Sequence, residues 1–260
     1  MSSSLDLFNL SGRVAVVMGG TSGIGRELAL GLASAGADVV ATGRREALVD
    51  AVAGEIEEMG RRTLRKTADA SKRESIDALR DSVVAELGGV DILVNAAGQT
   101  FRKPTADVSE AQWNNLFDVN LTGTLRACQS FHEALAKSGR GRVINIASLT
   151  SYLGFMEVTA YAASKAAVLG LTRNLAVEWA REEIKVNAIA PGVFRTELNS
   201  ALLDGTERGR ELLLRTPMKR FGKTSELVGT AILLASDAAS FITGQCIGVD
   251  GGFLASGVNQ

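Results

Sequence analysis

The sequence predicts a single-domain, doubly wound α/β fold in which helices cover both faces of a seven-stranded parallel sheet. Apolar runs of strand length alternate with longer amphipathic stretches along the 260 residues, an order typical of βαβ units. The run Val14–Met18 is apolar throughout, as expected of a strand buried on both faces. Hydrophobic residues make up 46% of the chain, enough for the core of one large domain, so residues 1–260 are assigned to one unit.

Each element is assigned from its own apolar pattern. The strands are predicted at Val14–Met18, Asp38–Thr42, Thr63–Thr67, Ile92–Asn95, Arg142–Ala147, Lys185–Ala190 and Gln245–Val249. The helices are predicted at Ile24–Ala35, Glu46–Met59, Lys72–Leu87, Glu110–Lys137, Ala160–Ala180 and Glu226–Ala235. The helix-prone segment Thr196–Thr216 interrupts this alternation after a strand, and we expect it to form a lid over the active site.

Composition narrows the classes of function. A formal net charge of -1 gives no overall field that would favour nucleic acid or an anionic membrane as a partner. The N-terminus lacks a secretory signal pattern and no apolar stretch could span a bilayer, so a cytoplasmic location is expected. Cys128 and Cys246 lie outside any CxxC pattern and His132 is the only histidine, so neither a disulfide framework nor a metal site is predicted.

A glycine-rich turn follows the first strand and opens the first helix. It consists of Gly19, Gly20, Thr21, Ser22, Gly23, Ile24 and Gly25. Glycines let the backbone turn tightly and approach a pyrophosphate, whose charge is stabilised by N–H groups at the start of a helix. The turn therefore predicts the dinucleotide-binding loop of a Rossmann fold, with an ordinary glycine-rich βα turn as the alternative.

The end of the second strand indicates which dinucleotide is bound. An NAD site usually places an acidic residue about 20 positions after the glycine loop, where it bonds the ribose 2′-hydroxyl. Here that region carries Arg44 and Arg45 instead, and guanidinium groups suit a 2′-phosphate. NADP(H) is therefore the predicted cofactor, and a pair of solvated arginines at a helix start is the alternative.

Tyr161 and Lys165 stand four residues apart at the start of a strong helical pattern, which puts both side chains on one helix face. A neighbouring ammonium is expected to lower the pKa of the tyrosine and make it a general acid/base. Ser148 ends an apolar strand, at the edge of the sheet where ligands of open α/β folds bind. The three residues predict proton exchange with a substrate oxygen that Ser148 holds by a hydrogen bond.

Together these motifs resemble the short-chain dehydrogenase/reductase family from Leu10 to Gly252. The family's NNAG motif falls on residues 95–98, where Ala96 replaces the second asparagine, and Met18 replaces a threonine just before the glycine loop. The resemblance implies a catalytic tetrad of Asn120, Ser148, Tyr161 and Lys165. It also implies cofactor contacts from Asp69, Asn95, Ala97, Gly98, Pro191, Gly192, Val193 and Thr196. In such a tetrad Lys165 also bonds the nicotinamide ribose, and Asn120 holds a water that connects Lys165 to solvent.

Within the family the chain is most similar to the gluconate 5-dehydrogenase and 2-deoxygluconate 3-dehydrogenase group, through LFNLSGRVAVV, FRKP, SxxSxLG and RTPMKRFGKTSELVG. The resemblance implies a sugar acid or polyol as the substrate. Arg102, on a loop after the fourth predicted strand, could pair with the carboxylate of such an acid, and a solvated loop arginine is the alternative.

Two other functions remain open from the sequence. A 3-oxoacyl carrier-protein reductase resembles this chain closely, but such enzymes present basic residues to an acidic carrier, and one such position holds Val177 here. A nucleotide-binding protein without turnover would keep the fold but not the complete tetrad. The resemblance further implies a homotetramer, in which the helical stretches Glu110–Lys137 and Ala160–Ala180 form a dimer interface.

Overall fold

The computed structural model describes residues 4–196 and 200–257. The strands are β1 (Val14–Met18), β2 (Asp38–Thr42), β3 (Ile92–Asn95), β4 (Arg142–Ile146), β5 (Lys185–Pro191) and β6 (Cys246–Val249). The helices are α1 (Gly23–Ser34), α2 (Glu46–Glu58), α3 (Arg73–Leu87), α4 (Glu110–Phe117), α5 (Gly123–Lys137), α6 (Thr159–Glu178), α7 (Ser200–Leu203), α8 (Glu207–Arg215) and α9 (Val228–Ala235). No helix within these ranges is long and apolar enough to cross a membrane.

The strands form one parallel sheet in the order β2-β1-β3-β4-β5-β6. After β2 the chain crosses back over β1 and continues on its other side, so β1 and β3 flank the point at which the strand order reverses. Ligands of open α/β sheets bind at such a switch point, beyond the carboxyl ends of the strands. The parallel sheet with covering helices confirms the α/β prediction of Rossmann type.

The prediction of a seventh strand at Thr63–Thr67 is wrong for the described residues, whose sheet has six strands. The segment runs beside β2, and the Val39 N–H donates to the Arg62 carbonyl at 3.1 Å. Further along, the Thr42 hydroxyl donates to the Lys66 carbonyl at 2.7 Å. The Lys66 carbonyl is thus bonded by a side chain, whereas in a continuous ladder of strand hydrogen bonds it would be bonded by a backbone N–H. For this reason β2 remains the last strand on this side of the sheet.

Helices pack on both faces because buried side chains alternate along the strands. Val17 of β1 belongs to a core shared with α1, α2 and α9, whereas its neighbours Val16 and Met18 belong to a core shared with α3, α5 and α6. The two layers leave the carboxyl edge of the sheet open between them.

The helix predicted over Glu110–Lys137 is interrupted. A π-helical turn at Asp118–Thr122 separates α4 from α5, and Asn120 is buried in it. The Asn120 carbonyl accepts a hydrogen bond from the Thr124 hydroxyl at 2.9 Å. Such turns insert one extra residue into a helix and re-aim the side chains around it, often at functional sites.

Candidate active site

The glycine loop is built by close backbone contact between the segments that follow β1 and β3. Gly19 has φ +75°, and a Cβ atom there would lie 2.6 Å from the backbone nitrogen of Ala97. A Cβ at Gly25 would lie 2.1 Å from the Gly19 carbonyl oxygen. Only glycine permits both approaches, so the loop, the first turn of α1 and the β3 loop form one compact unit.

The amino end of α1 faces open space beside this loop. Ser22 is the N-cap residue of α1, but within the described ranges its hydroxyl caps none of the first-turn amides. The hydroxyl instead accepts a hydrogen bond from Arg45 at 3.3 Å. A Cβ at Gly23 would meet nothing closer than Thr196 Cγ2 at 3.9 Å. Uncapped amides at a helix start stabilise an anion.

Positive charge lines the rim of the loop. Arg44 and Arg45 follow β2 and are exposed. Asp69 accepts hydrogen bonds from the Ser71 N–H and hydroxyl at 2.9 and 2.7 Å. Burial alone would raise the pKa of Asp69, but these bonds and the charges of Arg44 and Lys72 hold it below the usual value. The structure therefore places Arg44, Arg45 and Asp69 at the end of the loop where the sequence predicts the 2′-phosphate and adenine.

Ser148, Tyr161 and Lys165 meet at the carboxyl end of β4. Ser148 follows the last residue of β4 by two positions, and its side chain interacts with that of Tyr161, the third residue of α6, in a way that favours the phenolate. One helical turn later, Lys165 Nζ lies 5.8 Å from the centroid of the Tyr161 ring. It donates a hydrogen bond to the Ile146 carbonyl at 2.7 Å.

Burial acts on both titratable groups of this cluster. It lowers the pKa of Lys165 from 10.5 to about 8, because the ammonium loses hydration. It raises the pKa of Tyr161 above its ordinary value, and the hydrogen bond with Ser148 opposes this rise. The expectation that the neighbouring ammonium lowers the tyrosine pKa is not met, since burial of the phenol outweighs other effects and Lys165 is directed to the Ile146 carbonyl.

Asn120 connects the β3 loop to α6. Its side-chain oxygen accepts from the Gln99 N–H at 2.8 Å, and its amide nitrogen donates to the Gln99 carbonyl at 2.9 Å. The same nitrogen donates to Ser164 at 3.2 Å, whose hydroxyl bonds the Tyr161 carbonyl. A Cβ at Gly98 would lie 3.4 Å from Asn120 Oδ1 and 3.8 Å from Lys165 Nζ. The four residues of the predicted tetrad therefore lie close together.

Comparison with known proteins agrees with this geometry. The profile of a family described as enoyl-(acyl carrier protein) reductase matches residues 19–254. A 2-dehydro-3-deoxy-D-gluconate 5-dehydrogenase of Escherichia coli is 41% identical over 252 residues, which cover 96% of this chain and 99% of the relative. A short-chain type dehydrogenase/reductase of Mycobacterium marinum superposes with a TM-score of 0.92 at 36% identity, covering 98% of this chain and 100% of the other. The chain belongs to the short-chain dehydrogenase/reductase family.

A solved family member is similar in sequence and carries ligands. The gluconate 5-dehydrogenase of Burkholderia cenocepacia, in complex with NADP and tartrate, superposes with a TM-score of 0.94 at 39% identity. The matched region covers 98% of this chain and 100% of that protein.

Several family positions have surroundings that the sequence did not reveal. The side-chain amide of Asn95 is buried in the sheet, where it donates to Asn145 at 2.9 Å and to Cys128 at 3.4 Å. Arg102 forms an ion pair with Glu157, so its guanidinium is not an isolated loop cation. Met18, which replaces the family's threonine, packs into the core, and its carbonyl accepts from the Ala96 N–H at 2.9 Å.

The segment after β5 lies at the same edge of the sheet. Pro191 is the last residue of β5, and the Gly192 N–H donates to the Val249 carbonyl at 2.8 Å. Val193 accepts from the Gly222 N–H at 2.9 Å, which ties the segment to the chain that precedes α9. Thr196 is the last residue described before a gap at 197–199. That part of the lid predicted at Thr196–Thr216 therefore lies outside the described residues.

Three hydroxyl residues at the site were not assigned catalytic roles from the sequence. Thr150 donates to Ser148, Ser151 joins the Ser148 turn to α6, and Ser164 connects Asn120 to Tyr161. Thr150 and Ser151 lie within the SxxSxLG stretch and Ser164 lies between Tyr161 and Lys165, so proximity in sequence was a signal. Nothing in the spacing shows which way a hydroxyl points.

His132 has a packing environment. Its ring packs against that of Trp179 at a tilt of 45°, with ring centroids 4.7 Å apart, and its Nε2 lies 3.1 Å from a Glu182 carboxylate oxygen. In the part of the chain that the structure describes, no three histidine, cysteine, aspartate or glutamate side chains come together as a metal ion would require.

Proposed function

We propose that this chain is an NADP(H)-dependent oxidoreductase that transfers a hydride between nicotinamide and a secondary alcohol or ketone carbon of a sugar acid. The observation that carries the proposal is the placement of Ser148 and Lys165 beside Tyr161, with Lys165 Nζ 5.8 Å from the centroid of the phenol ring and the Ser148 side chain favouring the phenolate. A phenol held in this way can exchange a proton with the oxygen on the carbon that gains or loses the hydride.

The glycine loop fits a dinucleotide phosphate. Its uncapped α1 amides and the open space beside Gly23 suit a pyrophosphate, while Arg44 and Arg45 suit a 2′-phosphate. When bound, the cofactor supplies the carbon that donates or accepts the hydride. The similar protein of Burkholderia cenocepacia, crystallised with NADP, supports this assignment.

In the proposed reaction, Tyr161 gives a proton to a carbonyl oxygen or takes one from a hydroxyl, and Ser148 donates a hydrogen bond to the same oxygen. Lys165 Nζ uses one proton on the Ile146 carbonyl and keeps two for the ribose and for proton exchange. Both ends of the Asn120 amide are engaged with Gln99. We therefore place the relay water on the Asn120 carbonyl, which has a second lone pair beyond the one used by Thr124.

A sugar acid is the proposed substrate class. The similar proteins of Escherichia coli and Burkholderia cenocepacia bear the names of gluconate-type dehydrogenases, and the latter was crystallised with tartrate, a hydroxy acid. Arg102 pairs with Glu157 through its Nε, and its side chain is 46% exposed. The terminal nitrogens therefore remain the proposed partners of a substrate carboxylate.

A carrier-linked ketoreductase is the second candidate, and the matching family profile is named for another carrier-linked enzyme, one that reduces an enoyl double bond rather than a ketone. Docking of an acidic carrier needs cations, whereas Val177 on α6 is 80% exposed where the family resemblance leads us to expect a basic residue in a carrier-linked enzyme. A nucleotide-binding protein without turnover is the third candidate, and the assembled tetrad opposes it.

We further propose that the chain is one domain, with residues 196–216 as a lid, and that it forms a homotetramer in the cytoplasm. α7 and α8 fall within the lid segment. The exposed side chains of Val177, Met156 and Phe241 offer apolar surface to neighbouring subunits, and both cysteines are free, as suits a reducing compartment. Light scattering at micromolar concentration tests the tetramer, and a monomer would contradict it.

The deciding experiment measures NADP⁺ reduction with D-gluconate, with uncharged polyols, and NADPH oxidation with 3-oxoacyl thioesters. Turnover selective for gluconate or a close sugar acid is expected, and activity confined to thioesters would establish the second candidate.

Tyr161→Phe should lower kcat by about three orders of magnitude or more, because it removes the proton donor. The chain's other tyrosine supplies the matched control: Tyr152→Phe should retain turnover. A Tyr161→Phe enzyme with most of its activity would refute the assignment.

A further inference from the structure

We propose that Thr150 is a positioning residue that fixes the direction in which the Ser148 hydroxyl donates its proton. The inference rests on the proposed function, because it concerns the single proton that Ser148 can donate, to Tyr161 in the substrate-free site and to the substrate oxygen once substrate is bound. It adds a residue outside the tetrad to the groups that prepare the site for proton transfer.

The Ser148 hydroxyl oxygen accepts two hydrogen bonds, and both come from Thr150. The Thr150 N–H donates to Ser148 Oγ at 3.1 Å, and the Thr150 hydroxyl donates to the same oxygen at 3.0 Å. A serine hydroxyl has two lone pairs and one proton. With both lone pairs occupied by Thr150, the proton is the part of the Ser148 hydroxyl left to point toward Tyr161.

Thr150 is itself held in place. It is 8% exposed and sits in the short 3-10 turn Leu149–Ser151, whose N-cap residue is Ser148. The Ser148 N–H donates to the Ser151 hydroxyl at 3.3 Å, and that hydroxyl donates to the Lys165 carbonyl at 2.9 Å. The turn is thereby attached to the helix that carries Tyr161 and Lys165, so the donor direction is set relative to both groups.

Donation from Ser148 has a predictable effect on Tyr161. A hydrogen bond given to the phenolate oxygen favours the ionised form and opposes the effect of burial. The charged group facing the phenol from its own helix is Lys165, and Glu157, which precedes α6, is paired with Arg102. Loss of the Thr150 hydroxyl leaves these charges in place but lets the Ser148 hydroxyl rotate, so the Tyr161 pKa should rise.

The test compares Thr150→Val, which keeps the N–H and the shape, with Thr150→Ser, which keeps both donors. In a Tyr152→Phe background Tyr161 is the only tyrosine, so ultraviolet absorbance reports its ionisation directly. With NADP⁺ bound, Thr150→Val should move this titration upward by about half a pH unit or more. The kcat for alcohol oxidation should fall about tenfold, and the rising limb of its pH profile should move to higher pH. Thr150→Ser should restore all three.

Measurements of NADPH affinity and of thermal unfolding show whether a Thr150 variant has lost only the positioning of Ser148 or has damaged the structure. The Kd for NADPH should stay within about twofold in both variants, since Thr150 touches Ser148 rather than the glycine loop. If valine lowers the unfolding temperature, Thr150→Ala provides the hydroxyl-free comparison. Unchanged tyrosine titration in the hydroxyl-free variant, or Thr150→Ser as impaired as Thr150→Val, would overturn the proposal. Full activity in Tyr161→Phe would instead refute the proposed function, while the titration would still report on Thr150.

Discussion

Tyr161 and Lys165 lie in the same buried pocket, and burial disfavours the charged form of each, which shifts their pKa values in opposite directions. The ammonium of Lys165 is destabilised, which brings its pKa to about 8, and the phenolate of Tyr161 is also destabilised, which raises its pKa. The site therefore contains a lysine that can lose a proton near neutral pH and a phenol that depends on hydrogen bonds to ionise. Sequence spacing identified the pair, but the depth of burial decided the direction of both shifts.

Lys165 should make the stability of the apoprotein depend on pH. Its folded-state pKa of about 8 lies below the ordinary 10.5, so between these values the unfolded chain binds more protons and wild-type stability rises with pH. Lys165→Met removes this dependence. At about pH 7 we expect Lys165→Met to be more stable than the wild type, because it buries no charge. This difference in the free energy of unfolding should shrink by about 3 kcal/mol on going to about pH 10.5. Denaturant unfolding across this range measures the difference, and a constant difference would rule out the lowered pKa.

Arg44 should govern the choice between the two dinucleotides. It is exposed at the rim of the loop and close enough to Asp69 to lower that carboxyl's pKa. Arg44→Ala should weaken NADPH binding by about 10- to 100-fold, the value of a charge-assisted contact, and NADH binding by less than about threefold. Fluorescence titration with both cofactors measures this. Arg181→Ala, an exposed arginine near the amino end of β5, is the control, and equal loss for NADPH and NADH would remove the 2′-phosphate role.

At the scale of elements, two connections bring the site together. The glycine loop lets α1 start directly against the β3 loop, and the π-helical turn at Asp118–Thr122 brings Asn120 against Gln99. Each connection depends on one local departure from regular structure, a positive φ at Gly19 in the first case and an extra residue in a helix in the second. The helices and strands carry the proposed catalytic groups. The positive φ at Gly19 and the π-helical turn set the positions of those helices and strands relative to one another.

Gly25→Ala tests the first connection. Its Cβ would lie 2.1 Å from the Gly19 carbonyl oxygen, so the helix start must move away from the loop. We expect a loss of about 1–3 kcal/mol in unfolding free energy and at least about a tenfold rise in the NADPH Kd. Gly54→Ala is the matched control, because its Cβ meets nothing within 4 Å inside α2. That variant should be stabilised by about 0.5–1 kcal/mol with unchanged NADPH binding. Identical behaviour of the two variants would contradict the close-packing argument.

At the scale of the whole molecule, charge is divided between the two edges of the sheet. The amino edge holds Arg13 and Arg142, which are nearly fully buried and share the carboxylate of Asp237 at 2.7 and 3.5 Å. Arg13 also donates to the Ala235 carbonyl at the end of α9. This cluster fastens β1 and β4 to α9, at the edge opposite the catalytic groups, so its role is stability rather than chemistry.

Asp237→Asn should therefore destabilise the protein without altering the site. Two buried guanidiniums would lose their shared carboxylate, and because Asp237 is itself 55% exposed we expect a loss of about 2 kcal/mol rather than the larger cost of a fully buried pair. Glu133→Gln, in a solvent-exposed pair with Lys137, should leave the free energy of unfolding nearly unchanged. Urea unfolding gives both values. A changed NADPH Kd in Asp237→Asn would show that the two edges are coupled.

The sequence by itself predicted most elements in their order, and the residues proposed for the site. Five of the six strands begin at the predicted residue, because continuous apolar runs and the turns that bound them are local properties. The glycine loop and the spacing of Tyr161 and Lys165 are equally local, so residue order alone was enough to predict the cofactor loop and the acid/base pair. The arginines after β2 indicated the dinucleotide for the same reason.

Only the tertiary structure decided features that depend on distant partners. Thr63–Thr67 has the composition of a strand, but the Thr42 hydroxyl takes the Lys66 carbonyl and the ladder is broken. The long predicted helix is interrupted because Asn120 bonds the backbone of Gln99, 21 residues away in sequence. Arg102 is paired with Glu157, and Ser148 is oriented by Thr150. Local sequence sets which groups are available, whereas burial and hydrogen-bond direction arise only when separate segments meet.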